Sequence, residues 1–183
     1  MPNTKKNICL YFGSFNPVHF GHIAIAEYMV ENKYADEVWF VISPQSPFKC
    51  NFTNNISKKK DVTSYFISIE RRIELLEEAI QKSDKFRIED IELSMPKPSY
   101  TIDTLRELSK RYDNIKFSLV IGSDQLKDFQ LWREWQQIVN NYQIYVYPRD
   151  YADVIYCQSS MIFFEKAPLI NISSTEMRLY SYR

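Results

Sequence analysis

The chain has 183 residues, of which 45% are hydrophobic and 15% aromatic, and its 23 Lys and Arg residues balance 23 Asp and Glu residues. This composition predicts one globular domain over residues 1–183, and the zero net charge argues against a general binder of nucleic acid or membrane surfaces. Three scattered cysteines, Cys9, Cys50 and Cys157, argue against a disulfide framework or a zinc cluster and favour a reduced, cytoplasmic protein.

Strand-like and helix-like segments alternate along the chain. Apolar runs predict strands at 7–12, 37–43, 115–122, 143–147 and 161–165, and an alternating pattern predicts another at 86–93. Helical spacing predicts helices after Pro17 and at 68–83, 99–112, 131–139 and 172–182, and 44–66 is predicted to be a long loop. The alternation indicates an α/β fold, a single Rossmann-like domain with a doubly wound, mostly parallel sheet and helices on both faces.

Two helices give more detailed expectations. In the first helix, Ile23, Ala26 and Val30 share one face. In the helix at 68–83, Ser68 is expected to be the N-cap and Arg72 is expected to be exposed to solvent.

The stretch YFGSFNPVHFGH, residues 11–22, concentrates residue types that are scarce elsewhere. Both histidines of the chain, His19 and His22, lie there, and so do two of its three glycines, Gly13 and Gly21. An average chain of this length would have about a dozen glycines, so each of the three is expected to serve a positive φ or a close approach of the backbone. The stretch follows a strand and opens a helix, where free N–H groups favour an anion.

Other strand ends point to the same edge of the sheet. Ligands of parallel sheets bind at the carboxyl ends of the strands, and Gly13, Ser43 and Gly122 each lie at such an end. The sequence contains neither the G-x-G-x-x-G pattern of dinucleotide-binding dehydrogenases nor a P-loop.

The segment GSFNPVHFGH resembles the G-[GST]-F-[DN]-P-x-H-x-G-H signature of the H-x-G-H nucleotidyltransferases, and ISSTEMR at 172–178 resembles the second signature of that superfamily. Three further segments are similar to those of the bacterial nicotinate-nucleotide adenylyltransferases: SPQSPFK at 43–49, PSYTIDTL at 98–105 and IGSDQLKDFQLWREW at 121–135. This chain departs from that family at Phe48, where His is frequent, and at YPRD, 147–150, where an R-P-G-like turn is more usual.

The resemblance implies transfer of AMP from ATP to the phosphate of nicotinate mononucleotide, with release of pyrophosphate. His19 and His22 would be the catalytic residues. The ATP-binding set implied by the resemblance is Gly13, Ser14, Phe15, His19, His22, Gly122, Asp124, Ser173, Ser174, Thr175 and Arg178. The mononucleotide would contact Ser14, Lys49, Thr101 and Trp132, with the last two at the nicotinate ring.

No metal-ligand cluster is visible in the sequence, so Mg²⁺ is expected to arrive with ATP, bound mostly by phosphate oxygens and water. The expected partners are the two small-molecule substrates, with neither nucleic acid nor membrane, and a homo-oligomeric state stays open. Three alternatives also stay open. The same fold could act on another acceptor, namely nicotinamide mononucleotide, phosphopantetheine or a flavin mononucleotide. The other two alternatives are a non-catalytic nucleotide sensor and an α/β interaction protein.

Overall fold

The computed structural model describes residues 5–44, 67–149 and 160–170, and the strands within those ranges form one six-stranded parallel sheet. Its strands are β1 (Lys6–Gly13), β2 (Glu37–Ile42), β3 (Phe86–Glu89), β4 (Ile115–Gly122), β5 (Gln143–Tyr147) and β6 (Met161–Phe163). The α-helices are α1 (Phe20–Glu31), α2 (Ile69–Ile80), α3 (Thr101–Arg111) and α4 (Trp135–Asn141). Two 3-10 helices, Ile91–Leu93 and Ser123–Leu131, follow β3 and β4.

The strands lie in the order β3-β2-β1-β4-β5-β6, so the chain winds outward in both directions from the pair β1 and β4. This is the Rossmann-like order, and the crevice where the winding reverses lies between the carboxyl ends of those two strands. Gly13 pairs with Ile42 and Gly122 pairs with Tyr147, so both glycines stand at that edge.

The two faces of β1 bury different helices, which confirms the doubly wound architecture. On one face Cys9 and Tyr11 pack with residues of α1 and α2. On the other face Ile8 and Leu10 pack with residues of α3 and α4. Because β1 is covered on both sides, it needs apolar residues at successive positions, and this requirement explains the continuous run in the sequence.

The predicted apolar face of α1 packs on the core, with Ala26 buried and with Ile23 and Val30 partly buried. Two element boundaries were wrong in detail. The predicted strand at 86–93 ends at Glu89, and the chain continues as a 3-10 helix. The predicted helix at 131–139 begins only at Trp135, because Trp132 has extended backbone angles and Glu134 has a left-handed φ of 51°.

The expected N-cap of the second helix was confirmed. The hydroxyl of Ser68 accepts a hydrogen bond from the N–H of Arg71, so Ser68 is the N-cap of α2. None of the helices in the described ranges has the length and apolarity needed to cross a membrane.

Candidate active site

The turn that leaves β1 is anchored by the side chain of Phe15. Its ring is only 1% exposed and packs edge-on against Tyr11, His22 and Phe40, with ring centroids 5.7, 5.1 and 5.4 Å away. To point inward from this turn, Phe15 adopts a left-handed φ of 42°. The side chain therefore belongs to the core, and Phe15 has only its backbone to offer to a ligand.

Gly13 serves a close approach and not a positive φ, as do the two other glycines of the chain. A Cβ atom on Gly13 would lie 2.8 Å from Cζ of Phe15. The side chain of residue 13 and the anchoring ring compete for the same space.

Replacing Gly13 by Ala is expected to lower the free energy of unfolding by about 1–3 kcal/mol, because the buried ring must shift. The measurement is urea unfolding of both proteins. Phe15→Leu frees the same space, so the cost of Gly13→Ala should shrink in that background. An unchanged midpoint for Gly13→Ala in the wild-type background would contradict the steric account.

The two histidines open α1 as a stacked pair. His19 is the N-cap residue, and the two imidazole rings lie 3.7 Å apart with an interplanar angle of 32°. Nδ1 of His22 accepts a hydrogen bond from the backbone N–H of His19 at 3.2 Å. In neutral His22 the proton is therefore on Nε2, where it can be donated to a ligand.

His19 is the more buried of the two and is 8% exposed. Its Nδ1 faces the N–H groups at the helix start but, among the described residues, makes no hydrogen bond of normal geometry. Burial and, to a smaller extent, the positive charge of Arg149 together lower the pKa of His19 to about 4. His19 is thus a neutral imidazole at pH 7, and it offers a ligand an N–H donor without a full positive charge.

The histidine titration can be measured directly, because the chain has only two imidazoles. In an NMR titration of the ligand-free protein, the His19 ring is expected to protonate near pH 4. Arg149→Met should raise that pKa, since the cation disfavours a second positive charge. A His19 pKa near the usual value of about 6.5 in the wild type would contradict the assignment.

The same shift has a consequence for stability. The unfolded chain binds a proton at about pH 6.5 whereas the folded chain binds it near pH 4, so the free energy of unfolding falls as pH decreases between these values. A His19→Asn variant should lose that part of the pH dependence.

Gly21 lets a distant segment reach the histidines. A Cβ on Gly21 would lie 2.9 Å from Cγ2 of Ile170 and 3.1 Å from the His19 ring. Ile170 is buried and precedes the 172–178 signature by one intervening residue. Five predicted site residues lie outside the described residues: Lys49, Ser173, Ser174, Thr175 and Arg178.

The carboxyl end of β4 presents a second group of polar residues. A Cβ on Gly122 would overlap Oδ1 of Asp124, so the glycine leaves room for that carboxylate over the strand end. The hydroxyl of Ser123 accepts a hydrogen bond from the backbone N–H of Arg149 at 2.7 Å. This bond fixes the turn after β5 beside the turn after β4.

The two residues predicted at the nicotinate ring lie on segments that pack together. Thr101 is the first residue of α3, and Trp132 stacks at a tilt on Phe129, with ring centroids 5.0 Å apart. The guanidinium of Arg133 lies 4.9 Å from the ring centroid of Tyr100 and donates to Asp103. These contacts hold the segment that carries Trp132 against the start of α3.

Sequence reasoning missed Arg149 and was wrong about Arg72. Arg149 supplies a positive charge close to His19, and its position at the end of a strand was the available signal. Arg72 was expected to be solvent-exposed, but it is buried, with 6% exposure, and donates to backbone carbonyls. It lies one turn before the buried Leu76, and this helical spacing could have revealed it.

A strand-edge crevice with paired imidazoles at a helix start defines a class of nucleotide-binding α/β proteins. The family model described as cytidylyltransferase-like matches residues 10–179 of this chain. A Cytophaga hutchinsonii protein named probable nicotinate-nucleotide adenylyltransferase is 42% identical over 93% of this chain and 83% of its own length. A Bacteroides fragilis protein of the same name is 39% identical over 97% of this chain and 82% of its own length. The chain belongs to the nicotinate-nucleotide adenylyltransferase family.

Solved structures share the fold. The nicotinic acid mononucleotide adenylyltransferase of Plasmodium falciparum, complexed with NaAD, superposes with a TM-score of 0.71 at 23% identity. The same enzyme complexed with APC gives a TM-score of 0.70 at 22% identity, and each comparison covers 96% of this chain and 83% of the other.

Proposed function

We propose that this chain transfers AMP from ATP to the phosphate of nicotinate mononucleotide, giving deamido-NAD and pyrophosphate. A phosphate oxygen of the mononucleotide attacks the α-phosphorus of ATP, and the bond from that phosphorus to the bridging β-phosphate oxygen breaks. The electron pair of that bond leaves with pyrophosphate. The observation that carries the proposal is the stacked His19 and His22 pair at the carboxyl edge of the sheet, in a chain of this family.

The chemistry requires positioning and stabilisation of charge. Two anionic substrates must be brought in line, and negative charge grows on the oxygens of the leaving pyrophosphate. The Nε2–H of His22 and the neutral ring of His19 offer donors to these oxygens, and Arg149 supplies positive charge nearby. Because Phe15 is locked in the core, the backbone at 13–15 presents a preformed surface to the phosphates.

The other residues take the roles implied by the family resemblance. Asp124 accepts hydrogen bonds from ribose hydroxyls above Gly122. Thr101 and Trp132 hold the nicotinate ring, and stacking on an aromatic face contributes about 1–3 kcal/mol by analogy with bases. Ser14 and Lys49 contact the mononucleotide. The 172–178 segment holds the triphosphate through Ser173, Ser174, Thr175 and Arg178.

We also propose that Mg²⁺ enters with ATP and is held mainly by phosphate oxygens and water. Among the described residues, no group of three or more His, Cys, Asp and Glu side chains is arranged to hold a metal. A cytoplasmic location and the absence of a nucleic-acid partner stay predictions from the sequence, and the oligomeric state stays open.

The test is to incubate the purified full chain with ATP, MgCl₂ and nicotinate mononucleotide and to separate the products by chromatography. Deamido-NAD and pyrophosphate are expected in equal amounts. Parallel reactions with nicotinamide mononucleotide compare kcat/KM for the two pyridine acceptors, and a higher value for the amide would favour the alternative acceptor. No dinucleotide with either acceptor would contradict the proposal.

A further inference from the structure

Two buried charged side chains that the proposed chemistry does not use lie beneath the candidate active site. Arg72 of α2 is 6% exposed, and Glu92 of the first 3-10 helix is 2% exposed. Neither forms an ion pair with any side chain in the described parts of the molecule. A buried charge is costly unless polar groups compensate for the lost water, so the hydrogen bonds of each reveal what it holds.

Arg72 holds the ends of two neighbouring strands. Its Nη1 donates to the carbonyl oxygen of Ser14 at 2.8 Å and to that of Ser43 at 3.2 Å. The N–H of Ser43 also donates to the carbonyl of Gly13 at 2.9 Å. The backbone of the turn at 13–15 is therefore fixed from below by Ser43 and by the guanidinium.

Glu92 holds the segment at 99–101. Its Oε2 accepts hydrogen bonds from the hydroxyls of Ser43 at 2.8 Å and Ser99 at 2.6 Å. Its Oε1 accepts a hydrogen bond from the hydroxyl of Thr104 at 2.9 Å. Ser99 lies two residues before Thr101, the first residue of α3.

Ser43 joins the two groups because its carbonyl binds Arg72 and its hydroxyl binds Glu92. We propose that Arg72 and Glu92 are positioning residues that act through Ser43 to hold the turn at 13–15 and the segment at 99–101 in one fixed relation. The first carries the ATP-facing backbone and the second carries Thr101 of the mononucleotide site, so this inference rests on the proposed function. In-line transfer depends on that relation, since a small misplacement of either substrate slows the reaction.

The test measures KM for ATP, KM for nicotinate mononucleotide and kcat in three variants. Ser43→Ala removes one oxygen atom and cuts the link while both charges stay in place. Arg72→Met removes the guanidinium at similar length, and Glu92→Gln keeps one oxygen acceptor. The matched controls are Arg71→Met, next to Arg72 but half exposed, and Ser94→Ala, whose hydroxyl donates to the backbone carbonyl of Ile91.

Loss of a hydrogen bond to a charged group is expected to lower kcat/KM about tenfold to a hundredfold for Arg72→Met and Glu92→Gln, and less for Ser43→Ala. The diagnostic result is an effect on the opposite substrate: Glu92→Gln and Ser43→Ala raise KM for ATP. Within the described ranges, the hydrogen bonds of Glu92 go to Ser43 and to Ser99 and Thr104 on the mononucleotide side. Combining Arg72→Met with Glu92→Gln should cost less than the product of the two separate losses, because both cut one connection. The controls should match the wild type.

Three outcomes overturn the proposal. The first is that the variants have the same kcat/KM as their controls. The second is that they lower the melting temperature but leave both KM values unchanged, and the third is that the losses in kcat/KM multiply in the double variant. If Arg72→Met does not fold, Ser43→Ala with Arg72→Lys gives the same comparison. If the wild type forms no dinucleotide, the proposed function fails. The connection through Ser43 is then tested by equilibrium binding of ATP, which should be weaker for Ser43→Ala than for the wild type.

Discussion

Replacing His22 by Ala should lower kcat at least about 100-fold, the scale observed when one donor to a developing charge is removed. In neutral His22 the donor is Nε2–H, because Nδ1 accepts a hydrogen bond from the backbone N–H of His19. The measurement is steady-state formation of deamido-NAD, with KM determined for both substrates. A donor that acts mainly in the transition state affects kcat more than KM.

The same substitution also removes a hydrogen bond at the helix start, so a second variant must separate the two effects. His22→Asn places an amide oxygen near the position of Nδ1 and removes the distal N–H. It should preserve stability better than His22→Ala while losing similar activity. Glu27→Gln, an exposed change on the same helix, is the matched control and should behave as the wild type. Full turnover by His22→Asn would sink the catalytic assignment.

Gly122→Ala is expected to lower kcat/KM about as strongly as Asp124→Ala, by about tenfold to a hundredfold. Asp124 is proposed to accept hydrogen bonds from ribose hydroxyls, and the loss of a hydrogen bond to a charged group lowers kcat/KM by about this factor. A methyl group on Gly122 would overlap the carboxylate and displace it. The loss is measured as kcat/KM for ATP at saturating mononucleotide.

The double variant distinguishes this account from a general disturbance of the strand. If Gly122→Ala acts by moving Asp124, adding it to Asp124→Ala should cost little more. Asp128→Ala, an exposed acidic residue in the same 3-10 helix, is the control and should retain activity. Independent, multiplying losses would show that Gly122 matters for another reason.

The sequence alone was sufficient for the features that depend on local pattern. Apolar runs located β1, β2, β4 and β5, and their continuity indicated a sheet covered on both faces. The scarcity of glycine and histidine led to the helix start where His19 and His22 are stacked. Parallel strands put Gly13 and Gly122 at one edge, as expected from topology.

Features that depend on long-range contacts could not be predicted from the sequence. The burial of Arg72 requires carbonyl groups that lie 58 and 29 residues away along the chain. The low pKa of His19 results first from burial and second from the positive charge of Arg149, which follows β5 at the same edge. The start of α4 at Trp135 follows a left-handed N-cap residue, Glu134, that is not glycine, so no local rule predicts it.

The inward side chain of Phe15 links the local stability of the phosphate-facing turn to the global stability of the protein. Surface loops usually open by local fluctuations that cost far less than global unfolding. Here the turn cannot open without withdrawing an aromatic ring from among Tyr11, His22 and Phe40. The turn should therefore resist local opening as strongly as the central strands do, and catalytic competence should persist on heating until the protein melts.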